Sequence, residues 1–289
     1  SKIRKQILQN TSLSILVVGA NASSLELIYQ LTNSFDDLSS HFSITVLSPQ
    51  GKLPDLFVRD KITDFRAPRL DALRDSCHAL TADLILDQFK MDLQFAYDNN
   101  YDISDTLPVF TEHVGFLLKK LSMIEKHKFS CFHGVEIGRL QRRAGIEYSQ
   151  ASKKLFASKR LKVLKGKFID FISLDNRTFV NYSLDSSQKK QEFFDVVINC
   201  AGSKGLTDDR MSPLLRQLCD SGLCHVTPSK QGVCVGNNFE VKEGFYVNGP
   251  LLAGNVVNGM GIWHVEHCAR IMSFSKQIAG HLVSSYSST

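Results

Sequence analysis

The stretch Ser14–Gly19, reading SILVVG, constrains this chain more than any other. Apolar side chains at consecutive positions suit a strand buried on both faces, and the glycine ends it. Leu25, Ile28 and Leu31 then recur along one side of a helix over 22–33. A second strand over Ser43–Leu47 follows a polar connection (Asn33-Ser34 and 36–40) and stops at the turn composition Ser48-Pro49-Gln50-Gly51. Strand, helix, strand in that order predicts a βαβ unit of a parallel sheet.

The pattern changes at residue 69. Leu70, Leu73, Cys77, Leu80 and Leu84 are three and four apart, and the spacing is repeated by Leu86, Phe89, Leu93 and Tyr97, and again from Leu107 to Ile124. This predicts a helical block over about 69–156. Short strands return with Phe168–Leu174 and Thr178–Leu184 about an Asp175-Asn176-Arg177 turn, and with the apolar run Phe194–Cys200. A helix over Pro213–Ser221, a strand over Phe245–Val247, a glycine-rich segment and a final helix over about 263–283 complete the reading.

A chain of 289 residues is long enough for about two domains. Its 43% hydrophobic and 22% charged content is that of an ordinary globular protein. No apolar run reaches the ~20 residues of a bilayer span, so no membrane partner is expected. The formal charge of +5 is mild. The lysines and arginine at 153, 154, 159, 160, 162, 165 and 167 alternate with apolar residues, as on the wet side of a helix or strand, so no nucleic-acid partner is expected. Seven cysteines without a Cys-x-x-Cys pair suit reduced thiols and a cytoplasmic protein.

The turn after the first strand falls where a dinucleotide-binding turn reads G-x-G-x-x-G. Its residues are Gly19, Ala20, Asn21, Ala22, Ser23 and Ser24. The first glycine of such a turn permits the reversal, the second lets a pyrophosphate approach, and the third allows close helix packing. Asn21 tolerates the left-handed conformation better than most residues, and Ser24 is small. The helix N-terminus offers N–H groups and a positive dipole end to a phosphate, which Gly19, Asn21, Ser23 and Ser24 would surround. No acid follows the second strand to bind the ribose of NAD. Ser48 stands there, with Lys52 the nearest cation, which inclines the choice slightly towards NADP.

The order of a βαβ unit, a helical block, a small β-meander, FDVVINCAG and GFYVNGPLLAGNVVNG before a long helix resembles flavoproteins with two dinucleotide-binding domains. More narrowly, the chain resembles the bacterial NAD(P)/FAD-binding protein family at SPQGKLP (Ser48–Pro54), at Cys200-Ala201-Gly202 and at VNGPLLAG (Val247–Gly254). The last stretch is the specific one. The resemblance implies an α/β fold: a Rossmann-like three-layer domain over 12–205, with the helical block and meander inserted, and over 206–289 the C-terminal part of an FAD-type domain. It implies cofactor contacts at Gly202, Gly249, Pro250, Leu251, Gly254 and Asn255. Family members begin with an FAD-binding turn that has no counterpart before Ser14. The implied cofactors are therefore NADP or NAD, with FAD only where that N-terminal domain is present.

The implied function is an NAD(P)/FAD-dependent oxidoreductase, or its C-terminal portion, acting on an unidentified small-molecule substrate. The alternative is a non-catalytic nucleotide-sensing or interaction domain on a degenerate fold of the same kind. No catalytic acid, base or nucleophile stands out. Cys200 suits packing, and Trp263 suits either a ligand wall or the core. His264, His267 and Cys268 would share a helix face but lack a fourth metal ligand, and His113, His127 and His133 have no ligand spacing.

Overall fold

The computed structural model describes residues 12–34, 42–58, 61–76, 79–174, 177–184, 188–202, 205–206, 211–265 and 268–286. The chain runs β1 (Leu13–Val18), α1 (Ala22–Ser34) and β2 (Phe42–Ser48), then α2 (Pro68–Arg74), α3 (Ala82–Asp98), α4 (Ile103–Lys120) and α5 (Met123–Lys128). A π-helical turn, Phe129–His133, leads into α6 (Gly134–Leu140) and α7 (Ile146–Ala157). There follow β3 (Leu161–Leu174), β4 (Arg177–Leu184), β5 (Gln188–Phe194), β6 (Val196–Asn199), α8 (Pro213–Asp220) and α9 (Cys268–Tyr286). The polar connection expected at 36–40 and the turn residues 175 and 176 lie outside the described residues. Two compact units result, one of residues 1–61 and 142–203, the other of 62–141 and 204–289. The helical block expected over 69–156 therefore divides: residues to 141 group with the C-terminal segment, and α7 with the first unit.

In the first unit the sheet order is β5-β4-β3-β2-β1-β6. β1 is parallel to both neighbours, with Val18 opposite Leu47 and Asn199. Ile15, Val17, Ile44 and Val46 project from one face into a cluster with Ile28 and Leu31 of α1 and Leu155 of α7. Leu16 and Leu47 project from the other and meet Val180, Tyr182 and Phe194. Burial of each such aliphatic side chain stabilises the unit by about 1.5–3 kcal/mol. The second face is covered by the sheet's own extension. β3 pairs in parallel with β2 from Leu161 to Lys165 and then antiparallel with β4 from Gly166 onwards. At the changeover only glycine fits, because a Cβ on Gly166 would lie 2.3 Å from the Ser183 carbonyl oxygen. The apolar run expected as one strand over 194–200 is cut at Asp195. That residue's carboxylate accepts from the Ser14 N–H and hydroxyl at 2.7 and 2.8 Å, so Phe194 ends β5 and Val196 begins β6.

The second unit has two apolar clusters. One joins Leu70, Ile85, Phe89, Phe110, Leu117 and Phe129 of the helical segment. Side-chain caps begin α3, α4 and α5: Thr81 accepts from Leu84 N–H, Asp102 forms a capping box with Asp105, and Ser122 accepts from Glu125 N–H. The wholly buried Asp92 of α3 accepts from the Arg69 and Leu70 N–H groups at the start of α2 and from the Arg69 guanidinium. The other cluster joins Cys224, Phe239, Leu252, Val257, Ile262 and Phe274. Here Asn255–Val257 and Met260–Ile262 pair antiparallel. Their two-residue link has positive φ at both Asn258 (50°) and Gly259 (76°), the conformation of a tight hairpin turn. No helix among the described residues is long and apolar enough to cross a membrane, and the described cysteines are free thiols.

Candidate functional site

β1, β2 and β6 are parallel, so their carboxyl ends lie at one edge of the sheet, followed by Gly19, by Ser48–Lys52 and by Cys200–Gly202. The chain leaves β1 for β2 on one side while β6 returns on the other. Parallel α/β sheets bind ligands at such a reversal of strand order, outside the carboxyl ends. Gly19 has φ 106°, and a Cβ there would lie 2.3 Å from the Cys200 carbonyl oxygen. Its N–H donates to the Leu47 carbonyl at 2.8 Å. This glycine is thus required both for the turn and for the close approach of β6.

Asn21 has a different role from the glycine it replaces. It is not among the residues with positive φ. Its Oδ1 accepts from the N–H groups of Ser23 and Ser24 at 3.0 and 3.3 Å, and its Nδ2 donates to the Cys200 carbonyl at 2.5 Å. The buried Ser24 completes a reciprocal cap, its Oγ accepting from the Asn21 N–H at 2.8 Å. Two donors that a phosphate would use at the start of α1 are therefore already bonded within the chain. The first turn of α1 carries no acidic side chain, so nothing there repels an anion.

The remaining expected residues of this unit divide by role. Ser48 is buried, and its Oγ accepts from the Gly51 N–H at 3.1 Å, closing the turn after β2. Lys52 is exposed and pairs with Asp55 at 3.1 Å. Gly202 has φ 100° with open space where a Cβ would stand. Arg142, which no sequence motif singles out, donates from its guanidinium to the Ala20 carbonyl at 3.5 Å. That places a cation at the glycine turn. No local signal marks it, since 122 residues separate the two.

In the second unit the Gly249–Asn255 loop is tied to its own surroundings. Gly249 has φ 84° with open space at its Cβ position, and precedes a short helical turn over Pro250–Leu252 that contains Leu251. A Cβ on Gly254 would lie 2.5 Å from the Ser229 Oγ. Asn255 is buried. Its amide donates to the carbonyls of Val233 and Leu252 and accepts from the Val235 N–H, which makes it an organiser of the loop. The final helix begins at Cys268. His264 precedes it, so the helix face expected for His264 and Cys268 does not form, and His267 lies outside the described residues. Among the described residues no group of three or more His, Cys, Asp and Glu side chains is placed to hold a metal ion. His113 and His133 pair with Asp71 and Asp83, each at 2.7 Å.

No family model matches the sequence. An uncharacterised protein of Mycobacterium tuberculosis and one of Mycobacterium bovis are each 31% identical to it over 276 residues, covering 94% of this chain and 51% of theirs. The chain thus spans about half the length of the curated relatives it matches. Among solved structures, the FAD-bound cadaverine monooxygenase DfoA of Erwinia amylovora aligns with a TM-score of 0.51 at 11% identity, covering 96% of this chain and 54% of that one. The lysine monooxygenase NbtG of Nocardia farcinica aligns at 0.36 and 13% identity, over 83% and 44%. The likeness to DfoA shows the fold: α/β, of the kind found in flavoproteins with two dinucleotide-binding domains.

Proposed function

We propose that this chain carries the pyridine-nucleotide site of a flavin-dependent oxidoreductase whose substrate is a small molecule. The observation that carries the proposal is Gly19 at φ 106° on the carboxyl end of β1, packed against the carboxyl end of β6 where the strand order reverses. The fold shared with an FAD-bound monooxygenase supports it. Bound NAD(P)H supplies a hydride and bound FAD accepts one, so the redox chemistry belongs to the cofactors.

The chain's own residues bind and orient. The backbone course at Gly19 suits a pyrophosphate, to which the Arg142 guanidinium at the turn adds positive charge for either nucleotide, while the Lys52 ammonium beyond β2 inclines the choice towards NADP(H). The N–H groups of Ser23 and Ser24 fit a phosphate only once the Asn21 side chain has turned away. That same cap is the observation favouring the rival reading, a non-catalytic domain on a degenerate nucleotide fold. Gly249 and Gly254 lie in the loop that the resemblance assigns to flavin contact. Asn255 does not serve as a ligand in this reading, because its amide is spent on the backbone.

Titration of the chain with NADPH and with NADH separates the two readings. Binding of NADPH, stronger than that of NADH, supports the oxidoreductase site. No binding of either at millimolar concentration supports the degenerate domain.

A further inference from the structure

The second unit holds a cavity of about 410 Å³ that none of the residues discussed so far as cofactor contacts lines. Its volume falls within the range of about 300–1,000 Å³ common to small-molecule sites. The helical segment supplies one wall through Leu118, Phe129 and Ser130, and the Asn258-Gly259 hairpin with Trp263 supplies the other. Both aromatic rings are held. Trp263 meets Phe129 edge-on at 5.5 Å, and it lies so close to α6 that a Cβ on Gly134 would stand 2.4 Å from the indole. The walls are mainly apolar. Lys119, Lys126 and Arg270 bring positive charge, and no acidic side chain is among the described residues lining the space.

Two further features point to a ligand. Ser130 is 1% exposed, and its hydroxyl has no hydrogen-bond partner. A buried hydroxyl left unsatisfied is destabilising, so this one calls for a partner. The residue sits in the π-helical turn Phe129–His133, a local irregularity that recurs at functional sites. Arg270 stands over Trp263, 5.9 Å from its ring centre, and burial pulls the guanidinium below its ordinary pKa. A half-desolvated cation gains from a bound anion.

We propose that this cavity binds an organic acid with an aromatic body, its ring against Trp263 and Phe129 and its carboxylate between Lys126 and Arg270, where the Ser130 hydroxyl meets it after a turn of its side chain. The proposal rests on residues of the second unit alone. NADPH binding at the first unit succeeds or fails independently of it.

Trp263 is the only tryptophan of the chain, so its fluorescence reports this cavity directly. The chain is titrated with hydrocinnamate, hydrocinnamyl alcohol and phenylpropylamine, which share one body and differ in head-group charge. The acid is expected to bind about tenfold more tightly than the alcohol, as charge-assisted hydrogen bonds allow, and the amine most weakly. Added salt weakens the acid alone. The double variant Lys126→Gln/Arg270→Gln brings the acid's affinity down to that of the alcohol. Ser130→Ala weakens the acid severalfold while raising the melting temperature of the ligand-free chain. Equal binding of the three compounds, or no binding of the acid, overturns the proposal. Both outcomes are measured on the unsubstituted chain, so the test remains decisive even where a variant folds poorly.

Discussion

The side-chain amide of Asn21 donates to the Cys200 carbonyl across 2.5 Å, joining the turn after β1 to the end of β6. The same carbonyl leaves no room for a Cβ on Gly19. Gly19 and Asn21 thus both answer to Cys200, one by lacking a side chain and the other by supplying a donor. The first glycine of a dinucleotide turn is kept here for packing and conformation, while the second has been exchanged for a residue that caps α1.

Gly19→Ala is expected to lower unfolding stability by about 2 kcal/mol or more, combining left-handed strain with the clash at Cys200. Urea denaturation measures it. A loss below ~0.5 kcal/mol would show that β6 yields easily and that the glycine is not required.

Arg142→Ala should weaken NADPH and NADH alike, by up to about tenfold, because the pyrophosphate at the turn is common to both, whereas Lys52→Ala should weaken NADPH more than NADH. Arg142 is expected to matter more, since it reaches the turn itself, whereas Lys52 spends its charge on Asp55. No effect of Arg142→Ala, or equal effects of Lys52→Ala on the two nucleotides, measured by calorimetric titration, would remove that cation from the site.

Asp92→Ala should cost about 3 kcal/mol, because the wholly buried carboxylate holds the N–H groups that open α2 and the Arg69 guanidinium. Asp92→Asn keeps an acceptor oxygen and should cost less. The order of the two urea midpoints tests this. Equal midpoints would mean that acceptor geometry at α2 contributes nothing.

Burial, and then the hydrogen bond to Glu192 at 2.7 Å, push the Tyr182 hydroxyl from 10.0 up to about 12. The folded chain thus favours the protonated phenol. Its contribution to stability is complete below pH 10 and is lost as pH rises towards 12. Tyr182→Phe should cost about 0.5–1.5 kcal/mol near neutral pH and flatten that alkaline loss. Parallel alkaline slopes for the two proteins would contradict the assignment.

The local order of elements is legible wherever burial has a period. β1, α1 and β2 follow from SILVVG and the Leu25, Ile28, Leu31 spacing because the same side chains fill one cluster. The Asn258-Gly259 hairpin has a local signal too, Asn-Gly between VV and MGI, but the surrounding glycines mask it within a glycine-rich segment. Contacts set by tertiary approach leave no local trace. Asn21 and Cys200 are 179 residues apart, and only their meeting turns a tolerated substitution into a cap. The start of α9 departs from the expected residue 263 for a similar reason: Trp263 packs on Phe129 and Gly134, and the helix begins at Cys268.

The turn at Gly19–Ser24 is proposed to receive a pyridine nucleotide against a competing cap from Asn21. NADPH titration of the unsubstituted chain beside Asn21→Gly tests it most directly. The substitution frees the Ser23 and Ser24 N–H groups and also removes the bond from Asn21 to the Cys200 carbonyl, so it costs about 1–2 kcal/mol of stability. Weak NADPH binding is expected of the unsubstituted chain and binding about tenfold tighter of the variant, the gain that charge-assisted bonds to the phosphate allow. Unchanged affinity in Asn21→Gly, or no NADPH binding by either protein, would contradict it.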